Sequence, residues 1–225
     1  MAEPVGATVP HVEPVPLTRV PMTGRLVMLR EPDPRGDAAA LYAETHGSRQ
    51  GEAVWAYLAY GPFTEPGVMA DWISGTLRSE DPLWYTVALV DGRPVGMAAM
   101  MNADPANRRL ELGHIWYVPS AHRIGVNTEA AFLMLETAFT TFKCRRVEWK
   151  CDSLNTPSRR AALRLGFAFE GVFRQHMIIK GRNRDTAWYA MTDEDWPGVK
   201  SHLVAWLDHP GPKPSLSRMM GLSPE

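Results

Sequence analysis

The sequence predicts one α/β domain: a mixed, mainly antiparallel central sheet of roughly six or seven strands flanked by helices. Three observations predict it. The runs Leu83–Val90 and Pro94–Asn102 are joined by Asp91-Gly92, a strong hairpin signal, and a third run at Arg109–Val118 extends them into a meander. One long helical pattern separates the run ending at Val118 from the run Arg145–Cys151, and a helical crossover makes two such strands parallel. The runs Phe167–Ile179 and Asp185–Thr192 then fold back around Lys180-Gly181-Arg182-Asn183 as a terminal hairpin.

Taken in order, residues 1–23 are proline-rich with little periodicity and read as an extended leader, lying on the surface or on a partner subunit. Residues 24–208 carry the domain and 209–225 form a proline-containing tail. Arg25–Arg30 alternates as a first strand, and Asp33–His46 follows as a short amphipathic helix through Ala38, Leu41 and Tyr42. The stretch Gly47–Gly61 holds Trp55, Tyr57 and Tyr60 close together. A helical pattern starts at Thr64 or Glu65 and runs through Met69, Trp72, Ile73 and Leu77. After the meander, the chain turns at Gly125, and a helix from Thr128 to about Lys143 presents Phe132, Leu135, Phe139 and Phe142 on one face. Asn155–Leu165 reads as a short helix capped by Thr156, with Pro157 in its first turn and Gly166 ending it. A closing helix covers Asp193–Leu207.

Composition bounds the function. With 225 residues, 45% hydrophobic and 22% charged, the chain has the make-up of an ordinary globule. A net charge of −1 gives no general attraction for nucleic acid or an anionic membrane, so neither is expected as a partner. No run approaches the ~18 apolar residues of a spanning helix, and the N-terminus lacks the order of a signal peptide, so a cytoplasmic protein is expected. Cys144 and Cys151 lack metal-ligand spacing and are expected as reduced core thiols, with no metal bound.

The most informative stretch is LELGHIWYVPSAHRIGVNTEA, Leu110 to Ala130: a strand with Trp and Tyr, a polar turn with a glycine, then a helix. A strand–turn–helix of this kind directs backbone N–H groups outward at the positive end of the helix dipole, where a phosphate is held. Gly125 is expected to permit close approach of the backbone to a ligand. HRIGVN, His122 to Asn127, resembles the acyl-CoA pyrophosphate loop of the GCN5-related N-acetyltransferases. The phrases LELGHIWYVP, NTPSRRAALRLGFAFEG and RDTAWYAMTDEDW are similar to its RimJ/RimL branch, in the expected order from about Arg25 to Leu207. His122 stands where Gln or Arg is usual, and Asn127 where a second Gly or Ala is usual, which leaves the donor open between acetyl-CoA and a larger acyl-CoA.

The resemblance implies a sheet splayed between the fourth and fifth strands, acyl-CoA as co-substrate, and a set of site residues. Tyr117 and Val118 at the strand end, the turn His122, Arg123, Ile124, Gly125, Val126, Asn127 and Thr128, and Asn155 with Ser158 would hold CoA. Ser158 would serve the leaving thiolate. Glu111 is the implied base, with His114 and His176 as alternatives; by the two-residue strand period Glu111 and His114 share a face only if a bulge intervenes, which is a feature of the family. Trp55, Tyr57, Tyr60 and His176 would wall the acceptor, where aromatic faces and a carboxylate suit an amine. Arg159, Arg160 and Arg164 on the short helix suit either a CoA phosphate or a solvated face, and Trp188 and Tyr189 read as core.

Two functions remain open on sequence grounds. The first is an N-acyltransferase moving an acyl group, acetyl in the first instance, to a small-molecule amine or a protein N-terminal amine, with a homodimer as a further expectation. The second is a non-catalytic acyl-CoA-binding or sensing domain.

Overall fold

The computed structural model describes residues 5–222. In chain order these form β1 (Met22–Thr23), β2 (Val27–Arg30), α1 (Pro34–Thr45), α2 (Arg49–Glu52), α3 (Pro66–Thr76), β3 (Leu83–Leu89), β4 (Pro94–Asp104), β5 (Arg109–Tyr117), α4 (Val126–Thr140), β6 (Arg146–Asp152), α5 (Thr156–Arg164), β7 (Ala168–Ile179), β8 (Arg182–Thr192), α6 (Trp196–Asp208) and α7 (Leu216–Met219). The strands make one eight-stranded sheet in the order β1-β2-β3-β4-β5-β6-β8-β7. Every pairing is antiparallel except β5 with β6.

The α/β class and the mainly antiparallel sheet agree with expectation; the strand count is higher. The added strand is Met22–Thr23, which pairs with Leu29 and Met28. Part of the proline-rich leader therefore lies against the domain: Met22 is buried, Val15, Leu17 and Val20 pack on the core, and Arg19 Nε donates to the Trp84 carbonyl. Residues 1–4 of the expected leader and 223–225 of the expected tail lie outside the described residues.

Local chemistry explains the main elements. The β3–β4 hairpin closes where Gly92 takes φ +93°, and the Asp91 carboxylate accepts from the Arg93 amide at 2.9 Å. The α4 crossover buries Leu135, Phe139 and Phe142, as its periodicity predicts, and Phe139 stacks on Trp196 of α6 at 5.3 Å. Leu135 and Met134 are fully covered, and burial of each contributes roughly 1.5–3 kcal/mol. The start of α4 is Val126, two residues earlier than expected, with Gly125 at the cap. Likewise Asn155, not Thr156, caps α5: its Oδ1 accepts from the Ser158 amide at 3.1 Å.

Two buried carboxylates tie the helices to the sheet. Glu129, in the first turn of α4, accepts from the amides of Arg25, Leu26 and Val27 at 2.8, 2.7 and 2.8 Å. Asp37, in the first turn of α1, accepts from Arg30 of β2, Thr86 of β3 and the Asp33 amide. Each fixes a helix N-terminus, where the dipole favours an anion, against the sheet that carries the site.

Candidate active site

The sheet splays between its two parallel strands. Pairing of β5 with β6 runs only from Arg109↔Arg146 to Leu112↔Trp149; beyond those residues the strands diverge. A cavity of about 1460 Å³ opens there, above the range of roughly 300–1,000 Å³ typical of a single small-ligand pocket. Both diverging strands, the turn before α4, the start of α5 and parts of β7 and β8 line it.

Bulges aim side chains into this space. On β5, His114 and Ile115 together face Ala98 of β4, and His114 takes φ +51°. That extra residue resets the strand period, so Glu111 and His114 both line the cavity. On β4, Asn102 takes φ +51° beside a second register shift, held by its amide on Asp81, and its Nδ2 donates to Glu111 Oε2 at 2.7 Å. On β7, a shift between Phe173 and Met177 brings His176 to the cavity, with Nδ1 3.0 Å from Thr186 Oγ1.

Glu111 is 6% exposed, and Lys150 Nζ sits 2.8 Å from its Oε2. Lys150 is also 2.8 Å from Glu148 Oε2 and lies over the Trp188 ring at 4.0 Å. Burial raises the Glu148 carboxyl, but the hydrogen bonds and charges of Lys150 and Arg146 outweigh it and hold the group below its ordinary value. Glu111 Oε1 has no hydrogen-bond partner among the described residues. His114 stacks on Trp84 at 4.3 Å; burial first, and then the charge of Arg184, lower its pKa to about 4. It is therefore a neutral imidazole at pH 7.

At the other end, the first N–H groups of α4 have no intrahelical partner, and Gly125 supplies no side-chain cap. Gly125 takes φ +96°, and a Cβ there would meet Trp206 of α6 at 3.3 Å and Leu26 at 3.5 Å. The glycine is thus required by the left-handed turn and by packing against α6; close approach of a ligand is not the constraint this geometry shows. His122 Nε2 donates to the Tyr117 carbonyl at 3.2 Å, which folds the turn back on the strand. Asn127 Oδ1 and Arg164 Nε are buried in the cavity wall without partners. At the start of α5, Trp149 Nε1 donates to Ser158 Oγ at 3.0 Å, beside the Cys151 thiol.

Of the residues singled out from the sequence, Glu111, His114, Tyr117, His122, Arg123, Gly125, Val126, Asn127, Thr128, Asn155, Ser158, Tyr57 and His176 line the cavity. Four do not. Val118 is buried, Ile124 is exposed, and Trp55 is 1% exposed with Nε1 bonded to the Thr45 carbonyl, packed in an aromatic cluster with Phe63 and Trp116. Tyr60 stacks on Trp72 and reaches the site only through its contact with the His114 ring at 5.6 Å. Trp188, read as core, lines the cavity, whereas Tyr189 is core as expected. Sequence reasoning missed Asn102, Lys150 and Arg184, whose positions depend on bulges and on pairing across the splay.

The family model for the acetyltransferase (GNAT) domain matches residues 26–168, more than half of the chain. The chain belongs to the GNAT acetyltransferase family. A GCN5-related N-acetyltransferase from Brucella melitensis superposes with a TM-score of 0.86 at 36% identity, covering 93% of this chain and 98% of that one. Mycobacterium smegmatis RimJ, solved in complex with CoA-disulfide, superposes with a TM-score of 0.68 at 27% identity, over 84% of this chain and 94% of its own. YdaF of Bacillus subtilis (strain 168), named as a candidate ribosomal N-acetyltransferase, is 30% identical over 112 residues, which span 50% of this chain and 61% of YdaF. These likenesses bear out the RimJ-like GNAT resemblance and identify a transferase. Among the described residues no helix is long and apolar enough to cross a membrane.

Proposed function

We propose that this GNAT transferase moves an acyl group, acetyl in the simplest case, from acyl-CoA to a primary amine by direct attack in a ternary complex. The observation that carries the reading is the splay itself: one cavity joins an uncapped helix N-terminus to the bulged strand that carries Glu111 and His114. The donor set fits CoA. The α4 amides with Arg123 and Arg164 suit phosphates, and the partnerless Asn127 side chain meets polar groups of the ligand. The edge of β5 beyond Leu112, which no strand pairs, suits the amides of the pantetheine arm, as does Asn155 Nδ2, since only Oδ1 is used in capping.

In the reaction the amine lone pair forms a C–N bond to the thioester carbonyl carbon. The C–S bond breaks, its electron pair leaves with sulfur, and the proton shed by nitrogen ends in solvent or on the thiolate. Glu111 is assigned as base, with Oε2 tethered by Lys150 and Asn102 and Oε1 left without a partner. His114, neutral at working pH, accepts a hydrogen bond from the amine and adds no charge that would repel it. Ser158, whose oxygen already accepts from Trp149, has a hydroxyl hydrogen within reach of the Cys151 sulfur, and the departing thiolate would compete for it. Alignment supplies much of the acceleration, because a thioester already reacts with a free amine.

The acceptor class is a small-molecule amine or a protein N-terminal amine, in a cytoplasmic setting; the name of YdaF favours the protein acceptor. The test is release of CoA thiol from acetyl-CoA with a panel of amines and N-terminal peptides, read with mass spectrometry of the product. Binding of acetyl-CoA without acceptor-dependent thiol release would refute the assignment.

A further inference from the structure

Two arginines in the cavity wall, Arg164 and Arg184, have a buried Nε with no hydrogen-bond partner. They serve different ends of the cavity. Arg164, on α5, acts on Tyr117, whose carbonyl holds the turn residue His122. Arg184, near the start of β8, is paired in register with Met177, and its charge acts on His114 and Cys151. It belongs to the end where the amine and the thioester would meet.

The charge of Arg184 is not met by the protein. Each acidic side chain lining the cavity already holds other donors: Glu111 holds Lys150 and Asn102, Asp81 the amides of Asn102 and Ala103, Asp104 Asn107 and Arg109, and Asp152 the Leu154 amide. Asp185, next in the chain, accepts from the Gln175 amide and the Asn183 side chain. Among the described residues the Arg184 side chain makes no ion pair and no hydrogen bond. Lys150, the other cation nearby, is already shared by two carboxylates.

A guanidinium in this position repels a plain ammonium. It suits a carboxylate, which it binds through parallel N–H donors, and the pairing strengthens as water is excluded. We infer that Arg184 is a specificity residue receiving a carboxylate borne by one of the two substrates. The inference rests on the acyltransferase reading and narrows it. The carboxylate has two chemical sources: the far end of a dicarboxylic acyl group, as in succinyl-CoA, or the α-carboxylate of an amino-acid acceptor.

The experiment separates them. Initial rates of thiol release are measured for the wild type, Arg184→Gln and Arg184→Lys on two matched pairs. One pair is succinyl-CoA against acetyl-CoA with a single uncharged-chain amine; the other is an amino acid against its amide with acetyl-CoA. The wild type is expected to favour the carboxylate member of one pair by at least tenfold in kcat/KM, and the pair that shows the preference names the source. Arg184→Gln should bring that ratio close to one, and Arg184→Lys should keep part of it. Each ratio is taken within one variant, so a general loss of folding cancels. Thiol release with no carboxylate preference, a preference that survives in Arg184→Gln, or an equal loss on all four substrates overturns the inference alone. No release by the wild type in any combination overturns the acyltransferase reading and the inference with it.

Discussion

Lys150 Nζ lies 2.8 Å from Glu111 Oε2 and 2.8 Å from Glu148 Oε2, so one ammonium joins the two carboxylates that face each other in the parallel β5–β6 register. Both carboxylates are buried, and without the lysine they would repel each other at the vertex of the splay. Lys150→Met should therefore destabilise the fold by about 3–5 kcal/mol, the range for removing one partner of a buried ion pair. Urea unfolding of the variant beside Lys150→Arg, which restores the charge, checks this; equal midpoints for the wild type and Lys150→Met would refute it.

Tethering of one Glu111 oxygen also sets the kinetic expectation. Rate should rise with pH between about 6 and 8.5 as the bound amine loses a proton. Glu111→Gln keeps the contact to Lys150 but cannot take a proton, so turnover should fall across that range. A wild-type rate and profile in this variant would move the base elsewhere, with His176 the next group to test.

Gly125 gives a prediction in which fold and binding separate. At φ +96° a side chain strains the turn by roughly 1–2 kcal/mol, and its Cβ presses on Trp206. Gly125→Val should lower affinity for CoA at least tenfold, or ~1.4 kcal/mol, by displacing the α4 amides. Trp206→Ala in the same background relieves the clash but not the strain, so calorimetric titration of both variants should show only partial recovery.

The contrast between Gly125 and Lys150 shows what was legible in the sequence. The meander, the crossover and the terminal hairpin follow from turn chemistry and periodicity, which are local, and they appear nearly where expected. The turn at Gly125 was found from the order strand, glycine, helix, but besides its left-handed φ the glycine is constrained by α6, some 80 residues later in the chain. Lys150 and Arg184 sit on strands with nothing unusual around them, and their importance arises from register across the splay. Trp55 and Tyr60 were placed near the acceptor because the family resemblance puts the acceptor wall in that region, but a mainly apolar residue is as readily used to fill a core. Asn155 and Thr156 are both capable caps, and only backbone geometry separates them.

His114 predicts how stability depends on pH. Its pKa in the folded chain is lowered from 6.5 to about 4, chiefly by burial, so the unfolded chain binds its proton more readily. The contribution is complete above pH ~6.5 and is lost as pH falls towards ~4, amounting to about 3 kcal/mol at the acid end. His114→Phe preserves stacking on Trp84 but cannot titrate. Its loss of stability between pH 7 and pH 4.5, followed by chemical denaturation, should be smaller than that of the wild type; equal losses would refute the assignment.

Ser158 offers the sharpest test of the leaving-group assignment, because two features of the site act on one oxygen. Trp149 Nε1 donates to Oγ at 3.0 Å, which uses a lone pair and leaves the hydroxyl hydrogen for another acceptor. A contact to a departing thiolate strengthens as negative charge develops, so it lowers the barrier more than it tightens ground-state binding. Ser158→Ala should therefore reduce kcat about tenfold or more while Kd for CoA changes by less than about threefold, with some loss of stability from the stranded indole N–H. Trp149→Phe leaves the hydroxyl in place but frees its orientation, and should give an intermediate kcat. If kcat is unchanged in Ser158→Ala, the hydroxyl only supports the start of α5 and protonation of the thiolate belongs to solvent.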